Sequence, residues 1–189
     1  MIIYKDVING EEIVSDAYNL KEVDDFAYEA DGRLITVKAG ADVDIGANPS
    51  AEEQEEALEE GSTQVIDIVH AFRLQSATFD KKSYMSHIKV YMKKIKEHLT
   101  KANPDRVPIF EKQAATFVKK VIGSIGDYDF YVPSGFYNHD TEGMVILVNY
   151  REDGITPYFT FFKDGLLEEK VVRHLTTEIV KAITIIQTS

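Results

Sequence analysis

Cysteine is absent from the chain, and proline and glycine are scarce, with 5 and 11 residues among 189. Without cysteine the chain can form no disulfide framework, no thiolate zinc site and no iron–sulfur cluster, and it has no cysteine nucleophile. The lack of cysteine also fits a reducing compartment. The composition, with 44% hydrophobic and 28% charged residues, excludes collagen-like, low-complexity and wholly disordered chains.

Long hydrophobic runs are absent as well. No apolar run approaches the roughly 20 residues that cross a membrane, and Met1–Asp6 lacks the basic and apolar regions of a signal peptide. We therefore expect a cytoplasmic protein with no membrane partner. A length of 189 residues fits one domain, because domains usually contain roughly 100–200 residues.

The motifs of common enzyme classes are also missing. The sequence has no G-x-S-x-G, no H-E-x-x-H, no P-loop and no G-x-G-x-x-G. An enzyme is therefore not expected. His87 and His98 lie in a lysine-rich segment, and we interpret them as solvated surface residues.

Negative charge dominates but is unevenly distributed. The net charge is −11, yet the segment from Asp80 to Val121 holds 11 Lys and Arg against 4 Asp and Glu. Overall acidity argues against general or sequence-specific nucleic-acid binding, which needs a basic footprint. The basic segment instead fits an acidic partner.

The segment from Asp42 to Gly61 has no aromatic residue and contains eight acidic residues. Because it can bury little apolar surface, we predict a long mobile surface loop. A solvated loop is one interpretation, and a weak Ca²⁺ site is the other, although the order D-x-[DN]-x-[DN]-G of a preformed calcium loop is absent. The candidate Ca²⁺ ligands are Asp42, Asp44, Glu52 and Glu53.

Short strands are predicted on both sides of a central helical region. Asn9-Gly10, Asp31-Gly32 and Asp153-Gly154 are hairpin signals. Val65–Leu74 favours a strand, with a short helix as the alternative. The other predicted strands are Met1–Lys5, Glu11–Ser15, Phe26–Glu29, Leu34–Lys38, Tyr128–Val132, Met144–Tyr150 and Tyr158–Phe162.

An antiparallel helical hairpin is predicted over residues 79–122. Asp80–Thr100 has an apolar stripe at helical spacing, and Asn103-Pro104-Asp105 marks a break and a new helix start. The second helix runs to about residue 122. The two stripes are Tyr84, Ile88, Tyr91, Ile95 and Leu99, and then Phe110, Ala114, Phe117, Val118 and Val121.

Lysines form a second stripe on the first helix of this hairpin. They are Lys82, Lys89, Lys93 and Lys96. One interpretation is a solvated helix surface. The other is a docking face for an acidic partner, for which Lys89, Lys93 and Lys96 are the candidate contacts.

Several segments of the chain resemble the translationally controlled tumour protein family. The resemblance covers about residues 1–170, and its motifs are long and in register. The mixture of segments resembles fungal or other lower-eukaryotic members. The matching segments are Ile2–Asp6, Ser15–Asp16, Ile45–Glu52, Phe79–Lys82, Tyr91–Lys93, Asn103–Pro108, Asn149–Pro157 and Phe161–Leu166.

The resemblance implies a mainly β, α+β fold, the β-tent, with the helical hairpin inserted and the acidic loop mobile. It also implies a non-enzymatic, growth-linked cytoplasmic protein that associates with the cytoskeleton. The implied partners are tubulin or microtubules, ribosomes or elongation factors, and small GTPases. No cofactor is required, and weakly bound Ca²⁺ is implied.

An alternative implied by the resemblance is a regulator or chaperone of small GTPases of the Rheb or Rab type. The residue matched by Glu12 faces the proposed GTPase groove of the family. Where the family continues from Phe130-Tyr131 into Gly-Glu, this chain has Val132–His139 instead, which removes a glutamate from that groove.

Residues 171–189 extend beyond the resemblance. Val171, Leu175, Ile179, Ile183 and Ile186 recur at helical spacing, although the β-branched run 182–186 would also suit a strand. We predict an amphipathic helix that packs on its own β domain or on a second molecule. The alternative is a segment with no settled structure.

Overall fold

The structure is a computed structural model that describes residues 1–38, 62–136 and 143–171. The acidic segment 42–61 and the tail 172–189 lie outside the described residues. The described strands are β1 (Ile2–Asp6), β2 (Glu12–Ser15), β3 (Lys21–Val23), β4 (Ala27–Asp31), β5 (Leu34–Lys38), β6 (Ser62–Ile66), β7 (Gln75–Ala77), β8 (Asp129–Val132), β9 (Ile146–Tyr150), β10 (Pro157–Phe162) and β11 (Leu166–Lys170). The α-helices are α1 (Asp67–Ala71), α2 (Lys81–Ala102) and α3 (Val107–Gly123).

The described strands form three antiparallel sheets. One has the order β11-β1-β2, one has the order β3-β4-β10-β9-β8-β7, and the third pairs β5 with β6. The turns after β1 and β9 contain Gly10 and Gly154 with φ of 76° and 68°, which glycine adopts readily. The mainly β fold with an inserted helical hairpin is confirmed, and so are these two hairpins.

The hairpin predicted at Asp31-Gly32 is wrong. β4 pairs with β3 and β10, whereas β5 pairs with β6, so the chain changes sheets at this point. A Cβ atom on Gly32 would lie 2.7 Å from Cγ2 of Ile66 and 2.9 Å from Cε2 of Phe159. Glycine is therefore needed here for close packing between sheets and not for a tight turn.

The strand predicted over Val65–Leu74 is wrong beyond Ile66, and the short-helix alternative is correct. The chain enters α1 at Asp67. The Asp67 carboxylate accepts hydrogen bonds from the backbone N–H groups of Ile68, at 2.7 Å, and Arg33, at 2.9 Å. These bonds stabilise the start of the helix, and Ile68 is fully buried.

The helical hairpin has the predicted form. Asp80 caps α2 in a capping box, accepting from the backbone N–H of Ser83 at 2.6 Å. A 3₁₀ helix at Pro104–Arg106 connects α2 to α3. The predicted stripe of α2 is buried throughout, since its five residues are at most 7% exposed.

The inner face of the hairpin packs against the six-stranded sheet through aromatic rings. Ring centroids lie 5.4 Å apart for Tyr84 and Phe130, and 5.5 Å apart for Phe117 and Phe162. Full burial of a large apolar side chain contributes about 1.5–3 kcal/mol. This packing fixes the hairpin on the sheet and leaves its outer face exposed.

Candidate functional site

The outer surface of α2 is strongly basic. The helix contains seven lysines and one glutamate. Lys82, Lys89 and Lys93 are exposed, and we call these three residues the basic face. Because the inner face of α2 is fixed against the sheet, the basic face has a defined orientation.

The three predicted docking lysines differ in their surroundings. The Nζ atom of Lys93 lies 3.9 Å from a carboxylate oxygen of Glu97, one turn further along the helix. Lys96 donates a hydrogen bond to Glu111 of α3 and so links the two helices. Exposed ion pairs stabilise by about 0–1 kcal/mol, so Lys93 remains available to a partner. Lys96, in contrast, also links α2 to α3.

An apolar groove lies between α2 and α3, beside the basic face. Its volume is about 400 Å³. Lys89 and Lys119 are the charged residues that line it, one from each helix. The other lining residues are Met85, Ile88, Met92, Ala114, Ala115, Val118 and Ile122. We call this the outer groove.

Glu12 lies at the start of β2, an edge strand of the three-stranded sheet. Its side chain is 54% exposed and lies 3.8 Å from Nζ of Lys5. Lys5 is closer to Glu169 of β11, at 2.6 Å. Hydrogen bonding to Glu169 raises the pKa of Lys5 above its ordinary value. The Glu12 carboxylate is therefore accessible to a partner.

The segment that replaces the family's Gly-Glu continues β8 as far as Val132. A turn follows, in which the N–H of Phe136 donates to the carbonyl of Pro133 at 3.0 Å. Phe136 is 8% exposed and its ring lies 5.6 Å from that of His87. In place of the family's glutamate, this segment therefore contributes the Phe136 ring, which packs in the core against His87. Residues 137–142 lie outside the described residues.

The prediction that His87 is a surface residue is wrong, whereas His98 is exposed as predicted. His87 is 6% exposed and stacks near Tyr91, with centroids 6.0 Å apart. It lies three residues after Tyr84 and four before Tyr91, so it belongs to the same buried helix face. The sequence prediction counted only apolar residues on the buried face of α2, and so it left out His87.

Asp6 is a buried carboxylate that sequence reasoning missed. It is 1% exposed. It accepts hydrogen bonds from the backbone N–H groups of Ile8 and Met144 and from the hydroxyl of Tyr91, which lies 3.4 Å away. Asp6 thus joins β1 to α2 and to the segment before β9. Burial raises its pKa from 3.8 to about 6.

A second cluster of charges fixes the connection of the hairpin to the sheet. Arg106 donates to both carboxylate oxygens of Asp164, at 2.9–3.2 Å, and also to Asp25. Lys163 donates to Asp25 at 2.7 Å, and hydrogen bonds from Lys163 and Arg106 lower the pKa of Asp25 to about 2. The family segments Asn103–Pro108 and Phe161–Leu166 meet at this point.

The family segment Asn149–Pro157 has a similar structural role. Arg151 donates to Glu29 and Asp31 of β4 and lies 4.0 Å from the ring centroid of Tyr158. Asp153 accepts from the backbone N–H groups at positions 155 and 156, both at 2.9 Å, which orders the turn after β9. The matched motifs therefore contain residues that stabilise the fold.

The candidate Ca²⁺ ligands Asp42, Asp44, Glu52 and Glu53 lie outside the described residues. Within the described ranges, no group of three or more His, Asp and Glu side chains is placed to hold a metal ion. A cavity of about 740 Å³ lies between α3 and the strands β3 and β4. Its walls include Phe26 and Phe117, and its rim carries charges of both signs.

None of the helices described here is sufficiently long and apolar to cross a membrane.

Comparison with known proteins identifies the family. The model of the family "Translationally controlled tumour protein" matches residues 1–167. The homolog from Schizosaccharomyces pombe is 61% identical over 170 residues, which are 90% of this chain and 99% of the relative. The homologs from Mycosarcoma maydis and Saccharomyces cerevisiae are 56% and 50% identical, each over 90% of this chain and 100% of the relative.

Solved structures agree with the sequence relatives. The structure of the S. pombe protein has a TM-score of 0.74 and covers 90% of this chain and 100% of its own. The solution structure of the Caenorhabditis elegans protein is 31% identical, has a TM-score of 0.69 and covers 92% of this chain and 100% of its own. The fold of these proteins is the fold described above, and the sequence relatives named here are fungal, as the resemblance implied. The chain therefore belongs to the translationally controlled tumour protein family.

Proposed function

We propose that this chain is a non-enzymatic interaction protein of the cytoplasm that binds microtubules through the basic face of α2. The observation that carries the proposal is the exposure of Lys82, Lys89 and Lys93 on a helix fixed to the sheet, in a protein with a net charge of −11. A local excess of positive charge attracts an acidic polymer while the remainder of the surface repels it. The partner is thereby oriented toward the hairpin.

The acidic tails of tubulin are suitable partners for this surface. Contacts between exposed charges weaken as salt shortens the Debye length, from about 8 Å at 0.15 M to about 3 Å at 1 M. Binding is therefore expected to fall steeply over this range.

Co-sedimentation with microtubules tests the proposal. The double variant Lys89→Glu/Lys93→Glu reverses two charges of the basic face. Lys96 is left unchanged, because its reversal would also break the link to Glu111. We expect the fraction of protein bound at 0.05 M salt to fall at least severalfold.

The matched control is Lys21→Glu/Lys170→Glu, which reverses two exposed lysines away from the hairpin, one in β3 and one at the end of β11. This variant is expected to bind like the wild type. Equal sedimentation of the wild type and the double variant would refute the role of the basic face.

A second candidate function is the regulation of a small GTPase, and the exposed carboxylate of Glu12 favours it. A carboxylate on an edge strand can compete for the cations or backbone N–H groups of a nucleotide-binding loop. Release of a fluorescent nucleotide from a Rheb-type GTPase would test it. Acceleration by the wild type but not by Glu12→Ala, with Glu168→Ala as the matched surface control, would support this function.

The proposal has two further parts. The first is weak Ca²⁺ binding by Asp42, Asp44, Glu52 and Glu53, and the second is a role at ribosomes or with elongation factors. The acidic composition of residues 42–61 supports the first, and membership of the family supports the second. Affinity purification from lysate at low and high salt would test the ribosomal link. Ribosomal proteins or elongation factors should be enriched at low salt and lost at high salt.

A further inference from the structure

The outer groove leaves apolar surface exposed on the hairpin. Met85 and Met92 of α2 are half-buried, and Val118 and Ile122 of α3 face them across the groove. Ala114 and Ala115 are small and leave the groove open between the helices. Methionine-rich grooves of this kind are suited to an amphipathic helix.

The chain itself contains a segment of the matching chemistry. The family model ends at residue 167, and 18 further residues follow Val171. Seven of these 18 residues are Leu, Ile or Val, and only three are charged. Ile179, Ile183 and Ile186 are spaced by four and three residues, as on one helix face. Such a stripe is unfavourable if it stays in water.

We propose that residues 179–189 dock in the outer groove of the same molecule as an amphipathic helix, with Ile179, Ile183 and Ile186 between α2 and α3, and that residues 172–178 connect this helix to β11. The lengths correspond. Met85 and Met92 are seven residues apart, as are Ile179 and Ile186, which is about 10 Å of helix. Glu178 is the one acidic side chain of the segment and precedes the stripe. It complements the lysines that line the groove, Lys89 and Lys119, while the two basic side chains of the segment, Arg173 and Lys181, lie off the stripe.

The end of the described chain is within reach of the groove. Gly165 lies against Tyr91 and Ile95 of α2, and the five residues of β11 then extend about 17 Å from it. The N–H of Val171 donates to the carbonyl of Met1 at 3.0 Å, which fixes the point of departure. The helix α2 is about 10–12 Å across, and residues 172–178 span up to about 24 Å when extended, which is about twice that width.

Methionine methyl NMR of the full-length protein tests this proposal, since the chain has only four methionines. Met85 and Met92 report on the groove, Met144 is buried in the core, and Met1 lies beside the point of departure of the tail. The variant Ile179→Asp/Ile183→Asp should shift the methyl resonances of Met85 and Met92 and leave Met144 unchanged. The control Thr177→Asp/Thr188→Asp, away from the stripe, should leave both groove resonances in place.

A spin label gives an independent readout, because the chain has no other cysteine. A nitroxide on Ser189→Cys should broaden Met85 or Met92 more than Met144, at every protein concentration. Unchanged groove resonances in the aspartate variant would overturn the proposal. Resonance changes confined to Met1 would also overturn it, because they would place the tail beside β11. Broadening that disappears on dilution with unlabelled protein would overturn it as well, because it would place the tail on a second copy of the chain.

Discussion

The ionisation of Asp6 should make the protein less stable as the pH rises through the weakly acidic range. The carboxyl group is 1% exposed, and its pKa is raised by burial from 3.8 to about 6. Between these two values the unfolded chain is ionised while the folded protein holds the proton. The folded state therefore binds more protons, and the free energy of unfolding falls with increasing pH.

The size of the effect follows from the size of the shift. One pKa unit corresponds to 1.36 kcal/mol, so a rise from 3.8 to about 6 corresponds to about 3 kcal/mol. This contribution is fully present below pH 3.8 and is lost by about pH 7. The three hydrogen bonds that Asp6 accepts oppose the shift, so about 3 kcal/mol is the net result.

Urea unfolding of the wild type and Asp6→Asn from pH 4 to pH 8 measures this contribution. The stability of the wild type relative to the variant should fall by about 2.4 kcal/mol over that range, because part of the full effect is already lost at pH 4. A carbon-13 titration of the Asp6 carboxyl in the wild type provides a check that does not depend on the variant's folding. A flat difference curve together with a titration midpoint near 4 would refute the reasoning.

The remaining predictions concern the hairpin connection, a close contact between sheets and the acidic loop. Arg106→Ala should lower the free energy of unfolding by about 3 kcal/mol in urea, because it leaves the largely buried carboxylate of Asp164 unpaired, and the exposed control Lys101→Ala should change it little. Gly32→Ala should cost about 1–3 kcal/mol because its Cβ would overlap neighbouring side chains, whereas Gly126→Ala, with open space around it, should be nearly neutral by thermal melting. Deletion of residues 42–61 should leave the melting temperature almost unchanged, since each doubling of loop length costs only about 0.6 kcal/mol, and calorimetry should show that weak Ca²⁺ binding is lost. A large fall in melting temperature, or Ca²⁺ binding that survives the deletion, would contradict the last prediction.

Periodicity revealed the long elements well and the short ones poorly. α2 and α3 each repeat an apolar stripe over several turns, Asp80 marks the start of α2, and Pro104 marks the 3₁₀ turn that leads into α3, so both helices were predictable. α1 has five residues, too few for a helical period to appear, and its β-branched neighbours favoured a strand. β3, β7 and β11 are short or rich in charge, and β7 and β11 pair with strands that are distant in sequence, β8 and β1. The β-strand propensities of their residues therefore do not predict these three strands.

The residues that join distant segments could not be recognised from local patterns. Asp6 is one aspartate among many, and its burial depends on Tyr91 and Met144, which lie 85 and 138 residues away. Gly32 resembled a turn residue, yet its role is to admit side chains from two sheets. The basic face was predictable, because charge on a helix surface follows from the sequence alone. The link from Lys96 to Glu111 depends on how the two helices pack.

The docking role of the basic face is tested most directly by NMR shift mapping with a glutamate-rich peptide that imitates a tubulin tail. The peptide would be added to nitrogen-15-labelled protein at 0.05 M salt. We predict that the backbone resonances that shift cluster around Lys82, Lys89 and Lys93 of α2, and that the shifts disappear at 0.5 M salt. Shifts confined to the β sheets, or no shifts at all, would contradict the account.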